Sequence, residues 1–169
     1  EKESLIPLTK TYDNLLVIRS LTKLFNIAGL RLGYIIGSSE KLKKWNIKRD
    51  PWPLNSFAIK AGIEILSNKI FYREWTKKIH KWVNTEKTWV SNKLSKIKNL
   101  KVHNSSTNFF LIESKFSLSS NINYLENKGI LIRECTSFRF LNENWARISL
   151  QTRKNNKVLC REIQNSFRK

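Results

Sequence analysis

The sequence predicts an α/β chain in which the end of one α/β layer is joined by a long helix to a small α/β domain. Three observations lead there. Short β-rich apolar runs at residues 14–20 and 31–37 are bounded by turn-forming Asp13, Asn14 and glycines. Between Lys69 and Lys101, apolar residues (Ile70, Phe71, Trp75, Ile79, Trp82, Trp89, Val90, Leu94, Ile97) recur in steps of three and four, the pattern of one amphipathic helix. Beyond about residue 99, short strand-like and helix-like segments alternate. The expected division is 1–68 for the part of the larger layer, 69–98 for the connecting helix and 99–169 for the small domain.

The elements follow in order. Residues 14–20 (NLLVIRS) read as a buried strand, and 31–37 (RLGYIIG) as a second. Ser38 or Ser39 offers an N-cap for a helix through Trp45, which Asp50-Pro51-Trp52-Pro53 must break. Asn55 or Ser56 opens the next helix, with Ser67-Asn68 as a break before the long one. Residues 101–103 and 108–113 read as strands, 119–128 as a helix stopped by Gly129 in a left-handed turn, and 130–133 and 146–150 as two more strands. Thr152 caps a final helix carrying Val158, Leu159, Ile163 and Phe167.

Composition narrows the classes. Of 169 residues, 32 are Lys or Arg and 13 are Asp or Glu, a formal net charge of +19, which invites a nucleic-acid reading. The basic residues are scattered along a solvated helix face and elsewhere, and the chain is rich in Lys, Asn and Ile together, a compositional drift that raises charge without adding a function. The six tryptophans read as helix anchors or turn residues rather than a stacking platform. We therefore expect no nucleic-acid partner. Hydrophobic content of 40% with 11% aromatics excludes a disordered tail. No apolar run approaches a membrane span, and the reading is a cytoplasmic protein without a membrane partner. Cys135 and Cys160 make no disulfide framework, and His80 and His103 have no partners at ligand spacing, so no metal is expected. No methionine occurs, and the chain starts Glu1-Lys2-Glu3, which suggests a processed product or a piece of a longer reading frame.

The chemistry lies in residues 20–34 (SLTKLFNIAGLRLGY). Lys23 sits just past a strand, Ser20 and Thr22 flank it, and Arg31 follows a glycine and opens the next strand. Hydroxyls with a guanidinium make a phosphate site, because Arg gives bidentate charge-assisted bonds and Ser/Thr fill the remaining oxygens. A lysine beside such a site can form a Schiff base with the aldehyde of a phosphorylated cofactor. Residue types alone leave an ordinary strand-turn-strand with an exposed lysine equally open, and no GxxxxGK[ST] phosphate loop is present.

The spacing of Ser20-x-Thr22-Lys23 and Gly29-x-Arg31-x-Gly33 resembles the lysine motif of the class I/II aminotransferase superfamily, pyridoxal-phosphate enzymes of fold type I. The resemblance runs along nearly the whole chain. Trp52-Pro53-Leu54-Asn55-Ser56-Phe57-Ala58 with Ala61-Gly62 is similar to the segment before the family's interdomain helix, and Thr107-Asn108-Phe109-Phe110-Leu111 to a strand of its small domain. Residues 129–138 (GILIRECTSF) resemble an element of the threonine-phosphate decarboxylases of cobalamin biosynthesis, and Arg147-Ile148-Ser149-Leu150 with Thr152-Arg153 the strand bearing a carboxylate-binding arginine. Histidinol-phosphate aminotransferases share most of this.

The resemblance implies the C-terminal part of such an enzyme: the end of the large-domain sheet, the interdomain helix and the small domain. It implies pyridoxal 5′-phosphate as cofactor, with Lys23 as the Schiff-base lysine and proton shuttle and Ser20, Thr22 and Arg31 on the cofactor phosphate. Arg147 would bind the substrate α-carboxylate, Arg133 the substrate phosphate, and Asn55 would be a polar pocket contact. The implied activity is a lyase decarboxylating L-threonine O-3-phosphate, with a histidinol-phosphate-type or other aminotransferase as the alternative. A basic nucleic-acid-binding module and an inactive truncated relic are further alternatives. The implied partners are a small phosphorylated amino acid and, at full length, a second copy in a homodimer.

Departures from the pattern are mild at Gln151, where the family often has Gly or Arg, and at Glu134 in place of Asp. A larger one is an absence: only 22 residues precede Lys23, too few for the family's acidic partner of the pyridine nitrogen. The isolated chain is expected to be inactive.

Overall fold

The computed structural model describes residues 4–168; Glu1 to Glu3 and Lys169 lie outside the described residues. The chain divides into two compact units, Glu1–Lys77 and Lys78–Lys169. The boundary falls inside a continuous helix, and each unit is considered by itself.

In the first unit, β1 (Val17–Ser20) pairs antiparallel with β2 (Gly33–Ile36), in the register Val17↔Ile36 to Ser20↔Gly33. The ladder continues through the Leu21 N–H, which donates to the Leu32 carbonyl at 3.1 Å. Gly33 is required here, since a Cβ would stand 2.8 Å from the Arg19 carbonyl oxygen. Expected as a buried strand, β1 is largely open: Ile18 is 74% exposed. The reason is that Ile18 and its cross-strand partner Ile35 share a ribbon face that the other described elements leave open.

Helix α1 (Ser39–Ile47) starts after Ser38 without a side-chain cap bond and ends ahead of the Asp50-Pro51-Trp52-Pro53 break. Helix α2 (Ser56–Ser67) is capped by Asn55, whose Oδ1 accepts from the Ala58 N–H at 2.9 Å. Asn68 interrupts the helical run, and its Oδ1 accepts from Phe71 N–H at 2.9 Å to open α3 (Lys69–Leu94). Leu21, Leu32, Ala58 and Ile65 form the core of this unit, joined by Phe25, Leu54 and Tyr72. Gly62 of α2 faces the Leu32 side chain, and the Trp75 indole donates to the Leu24 carbonyl at 2.7 Å.

The second unit is a four-stranded antiparallel sheet, order β3-β4-β6-β5, with helices on one face. Its strands are β3 (Leu100–Val102), β4 (Phe109–Ser114), β5 (Arg133–Glu134) and β6 (Trp145–Ser149). Period-two alternation sorts them cleanly. Phe110, Ile112, Ala146 and Ile148 are buried against Val90 and Leu94 of α3, α4 (Ser119–Glu126) and Leu159 and Ile163 of α5 (Arg153–Ser166). Trp145 opens a strand, where a helix or turn position was expected.

Two boundaries differ from expectation. Helix α3 stops at Leu94 rather than near 98, because Asn99 turns left-handed (φ 65°) to lead into β3. The strand expected at 130–133 shrinks to Arg133–Glu134. Gly129 (φ 70°) does end the helix, but the Ile130 N–H then donates back to the Leu125 carbonyl at 2.9 Å and holds that segment against the end of α4. Thr152 caps α5, its Oγ1 accepting from Asn155 N–H at 3.3 Å.

Candidate active site

Each unit carries one group of candidate residues. In the first, the chain between β1 and β2 folds back as a loop, because its two ends are held by the ribbon register. Within it the Phe25 N–H donates to Leu21 O at 3.1 Å and the Ile27 N–H to Thr22 O at 3.0 Å. Leu21 packs in the core and Thr22 is buried, while Lys23 is exposed. Ser20 Oγ and Thr22 Oγ1 are 2.8 Å apart, so the two hydroxyls converge on one spot. Arg31, also exposed, has φ 51°, a left-handed conformation uncommon for a residue with a Cβ. It closes a short 3₁₀ turn (Ala28–Leu30), its N–H donating to Ala28 O at 3.4 Å. A lysine, two converging hydroxyls and a guanidinium on one loop are a donor set suited to a phosphate monoester. Asn55 serves as the α2 cap, which occupies its side-chain oxygen and leaves only its Nδ2 to a ligand.

In the second unit, register places Arg133 of β5 directly opposite Arg147 of β6. Directly opposed residues share a face, so both arginines belong to the sheet face away from the buried Ala146 and Ile148. Like charges in that relation are destabilising unless an anion sits between or beside them. Both belong to the lining of a cleft of about 730 Å³ that extends to the α5 side of the sheet edge, with Lys128, Gln151, Asn155 and the apolar Ile148, Val158 and Leu159. The lining contains three cationic side chains and no carboxylate. Arg147 lies over the Phe109 ring, 5.0 Å from its centroid, and its Nε is buried without a hydrogen-bond partner. Arg133 donates from Nη2 to Ser137 Oγ at 3.2 Å and lies 5.8 Å from the Phe138 centroid.

The structure also displays a group that the sequence does not mark. Glu86 of α3 is only 5% exposed, and its carboxylate accepts from Arg153 Nε at 3.1 and 3.0 Å and from Asn156 Nδ2 at 2.8 Å. The fully buried Asn156 side chain in turn clamps Gln151, accepting from its N–H at 2.9 Å and donating to its carbonyl at 2.8 Å. Residues 70 apart in sequence leave no spacing signal for such a pair.

The remaining candidates stay outside both groups. His103 pairs with Glu113 (Nε2 to Oε2, 2.9 Å) and packs on Trp145. Among the described residues no cluster of ligating side chains suits a metal, and no helix is long and apolar enough to cross a membrane. Cys135 is buried, and desolvation pushes its thiol up, away from nucleophilic use.

Comparison with known proteins identifies the family to which the chain belongs. A protein of Caldanaerobacter subterraneus subsp. tengcongensis named "Putative threonine-phosphate decarboxylase" is 32% identical over 99% of this chain and 45% of its own length. The crystal structure of L-threonine-O-3-phosphate decarboxylase from Porphyromonas gingivalis superimposes with a TM-score of 0.82 at 30% identity, covering 97% of this chain and 50% of that one. The histidinol-phosphate aminotransferase from Clostridium acetobutylicum gives a TM-score of 0.86 at 28% identity, covering 99% and 50%. The chain thus spans about half the length of the relatives it matches, as a part of that fold. The profile of aminotransferase class I and II matches residues 1–163, and the chain belongs to that family.

Proposed function

We propose that this chain is the C-terminal part of a pyridoxal-phosphate-dependent enzyme that decarboxylates L-threonine O-3-phosphate. The observation that carries the reading is the opposed Arg133–Arg147 pair on an acid-free cleft, with the Arg147 Nε buried and unpartnered. A phosphorylated amino acid offers two anions, a carboxylate and a phosphate of about −1.5 to −2 charge. Lys128, Arg133 and Arg147 supply a comparable positive charge. The Ser20/Thr22 hydroxyl pair, Arg31 and exposed Lys23 fit the phosphate and aldehyde of the cofactor in donor type.

In this reading Ser20, Thr22 and Arg31 hold the cofactor phosphate and Lys23 holds its aldehyde carbon. When bound, the cofactor supplies an electron sink for the pair left at the substrate Cα. Lys23 moves the proton at that carbon. Arg147 takes the substrate α-carboxylate and Arg133 its phosphate, with the Asn55 Nδ2 as a lesser polar contact. The two arginines fix which Cα bond is aligned for cleavage, so positioning chooses between losing the carboxylate and losing the hydrogen. A homodimer at full length belongs to the same proposal.

Histidinol-phosphate-type transamination is the second reading, favoured by the resemblance to the C. acetobutylicum structure. Both relatives' names include a phosphorylated substrate, so the cleft serves either. The test uses the full-length protein carrying this chain, incubated with L-threonine O-3-phosphate and pyridoxal phosphate. Release of CO2 with formation of an amine supports the first reading. Formation of an oxo acid dependent on 2-oxoglutarate, without CO2, overturns it in favour of the second.

A further inference from the structure

We propose that Gln151 is a specificity-determining residue of the anion cleft: its carboxamide contacts the phosphorylated end of the substrate. The inference rests on the proposed function and adds a residue that reading does not use. Gln151 lines the same cleft as Lys128, Arg133 and Arg147 and is the exposed residue that follows β6 and Leu150. Its main chain is held from both sides by Asn156, N–H to Oδ1 at 2.9 Å and carbonyl from Nδ2 at 2.8 Å. Asn156 is 0% exposed and is itself anchored on Glu86 at 2.8 Å. The next residue, Thr152, is the α5 cap. A main chain held this firmly fixes the point on the cleft wall from which the Gln151 side chain extends, the arrangement a specificity contact requires.

The chemistry favours an amide at this place. The two guanidiniums and the Lys128 ammonium only donate hydrogen bonds. A phosphate monoester near neutrality is partly monoprotonated, because its second pKa is about 6. The Gln151 carboxamide donates to a phosphate oxygen from its Nε2 N–H groups and accepts the remaining P–OH proton at Oε1, so it serves both protonation states. It adds no charge to a cleft already carrying three cations. In this scheme Asn156 is a positioning residue, acting on the substrate only through Gln151.

The test measures binding by titration calorimetry with the full-length protein, using O-phospho-L-threonine and unphosphorylated L-threonine as probes. Circular dichroism checks that each variant is folded, which the exposed Gln151 side chain should allow. Gln151→Glu places a carboxylate beside the phosphate site and should weaken O-phospho-L-threonine at least tenfold, while Gln151→Ala should weaken it three- to tenfold. L-threonine should change less than twofold in both. Asn156→Ala should lower discrimination between the two probes in the same direction. If wild-type protein binds O-phospho-L-threonine but both Gln151 variants bind it within twofold of wild type, the Gln151 proposal alone falls. The same holds if both probes weaken equally. If wild-type protein does not distinguish the two probes, the reading of the cleft as a phosphorylated-substrate site falls, and the Gln151 proposal falls with it.

Discussion

Replacing Glu86 by Gln should lower the stability of the second unit by about 2 kcal/mol. The estimate starts from the four contacts on the carboxylate: Arg153 Nε to both oxygens (3.1 and 3.0 Å), Arg153 Nη2 to Oε1 (3.0 Å) and Asn156 Nδ2 to Oε2 (2.8 Å). Charge-assisted hydrogen bonds contribute about 1.5–3 kcal/mol each in mutational series. The Arg153 side chain is 40% exposed, so water recovers part of that on substitution. Gln keeps the shape and one acceptor, which brings the expected loss to the lower end. Arg153→Ala should cost more, about 3 kcal/mol, because it strands a buried carboxylate and also removes the guanidinium packed 4.6 Å from the Trp89 centroid. For a unit of this size about 2 kcal/mol corresponds to a fall of roughly 8–16 °C in Tm. Thermal unfolding by circular dichroism measures it, and hydrogen exchange of the α5 amides locates it.

Acid should act through the same group. The Arg153 hydrogen bonds hold the Glu86 carboxyl below its ordinary range, opposed by burial and assisted by Asn156 and by the nearby guanidinium charge. A carboxyl whose pKa is lowered on folding contributes stability above its unfolded value near 4.5, and that contribution is lost as pH falls. Wild type should therefore lose stability below about pH 4.5 more steeply than Glu86→Gln. A Glu86→Gln variant within 0.5 kcal/mol of wild type at pH 7, with a parallel acid profile, would refute the network as a stabilising element.

Three shorter predictions concern the first unit. Asn55→Ala removes the bond from Ala58 N–H and should destabilise α2 by about 1 kcal/mol in chemical denaturation, whereas Asn55→Ser should recover most of it. Gly33→Ala forces a Cβ to 2.8 Å from the Arg19 carbonyl oxygen, a backbone atom that can move only by spreading the ribbon. A loss of about 1–3 kcal/mol is expected, and an unchanged denaturation midpoint would contradict the register. In the full-length protein Lys23→Ala should abolish borohydride-trapped covalent attachment of pyridoxal phosphate, read by mass spectrometry, while Lys10→Ala should leave it intact.

Much of the local structure was legible because local chemistry decides it. The Asn55 and Thr152 caps, the Asn68 break and the Gly129 stop are short-range features whose residue types satisfy orphan helix N–H groups or tolerate a left-handed turn. Features that depend on what packs around them were less so. The exposure of β1 follows from the open ribbon face that Ile18 shares with Ile35, and the shortness of β5 follows from the bond that ties Ile130 to Leu125.

The candidate site divides along the same line. The Ser20-x-Thr22-Lys23 and Gly29-x-Arg31-x-Gly33 motifs lie within one loop, so sequence alone brought the lysine, hydroxyls and arginine together, and with the rest of the chain it pointed to the family. Only tertiary structure could set Arg133 opposite Arg147, because strand register, not spacing, decides which side chains share a face. Only tertiary structure could join Glu86 to Asn156 and through it fix Gln151 on the cleft wall. That junction forms between two helices distant in sequence, α3 and α5, where burial makes each polar group require a partner that no local pattern specifies.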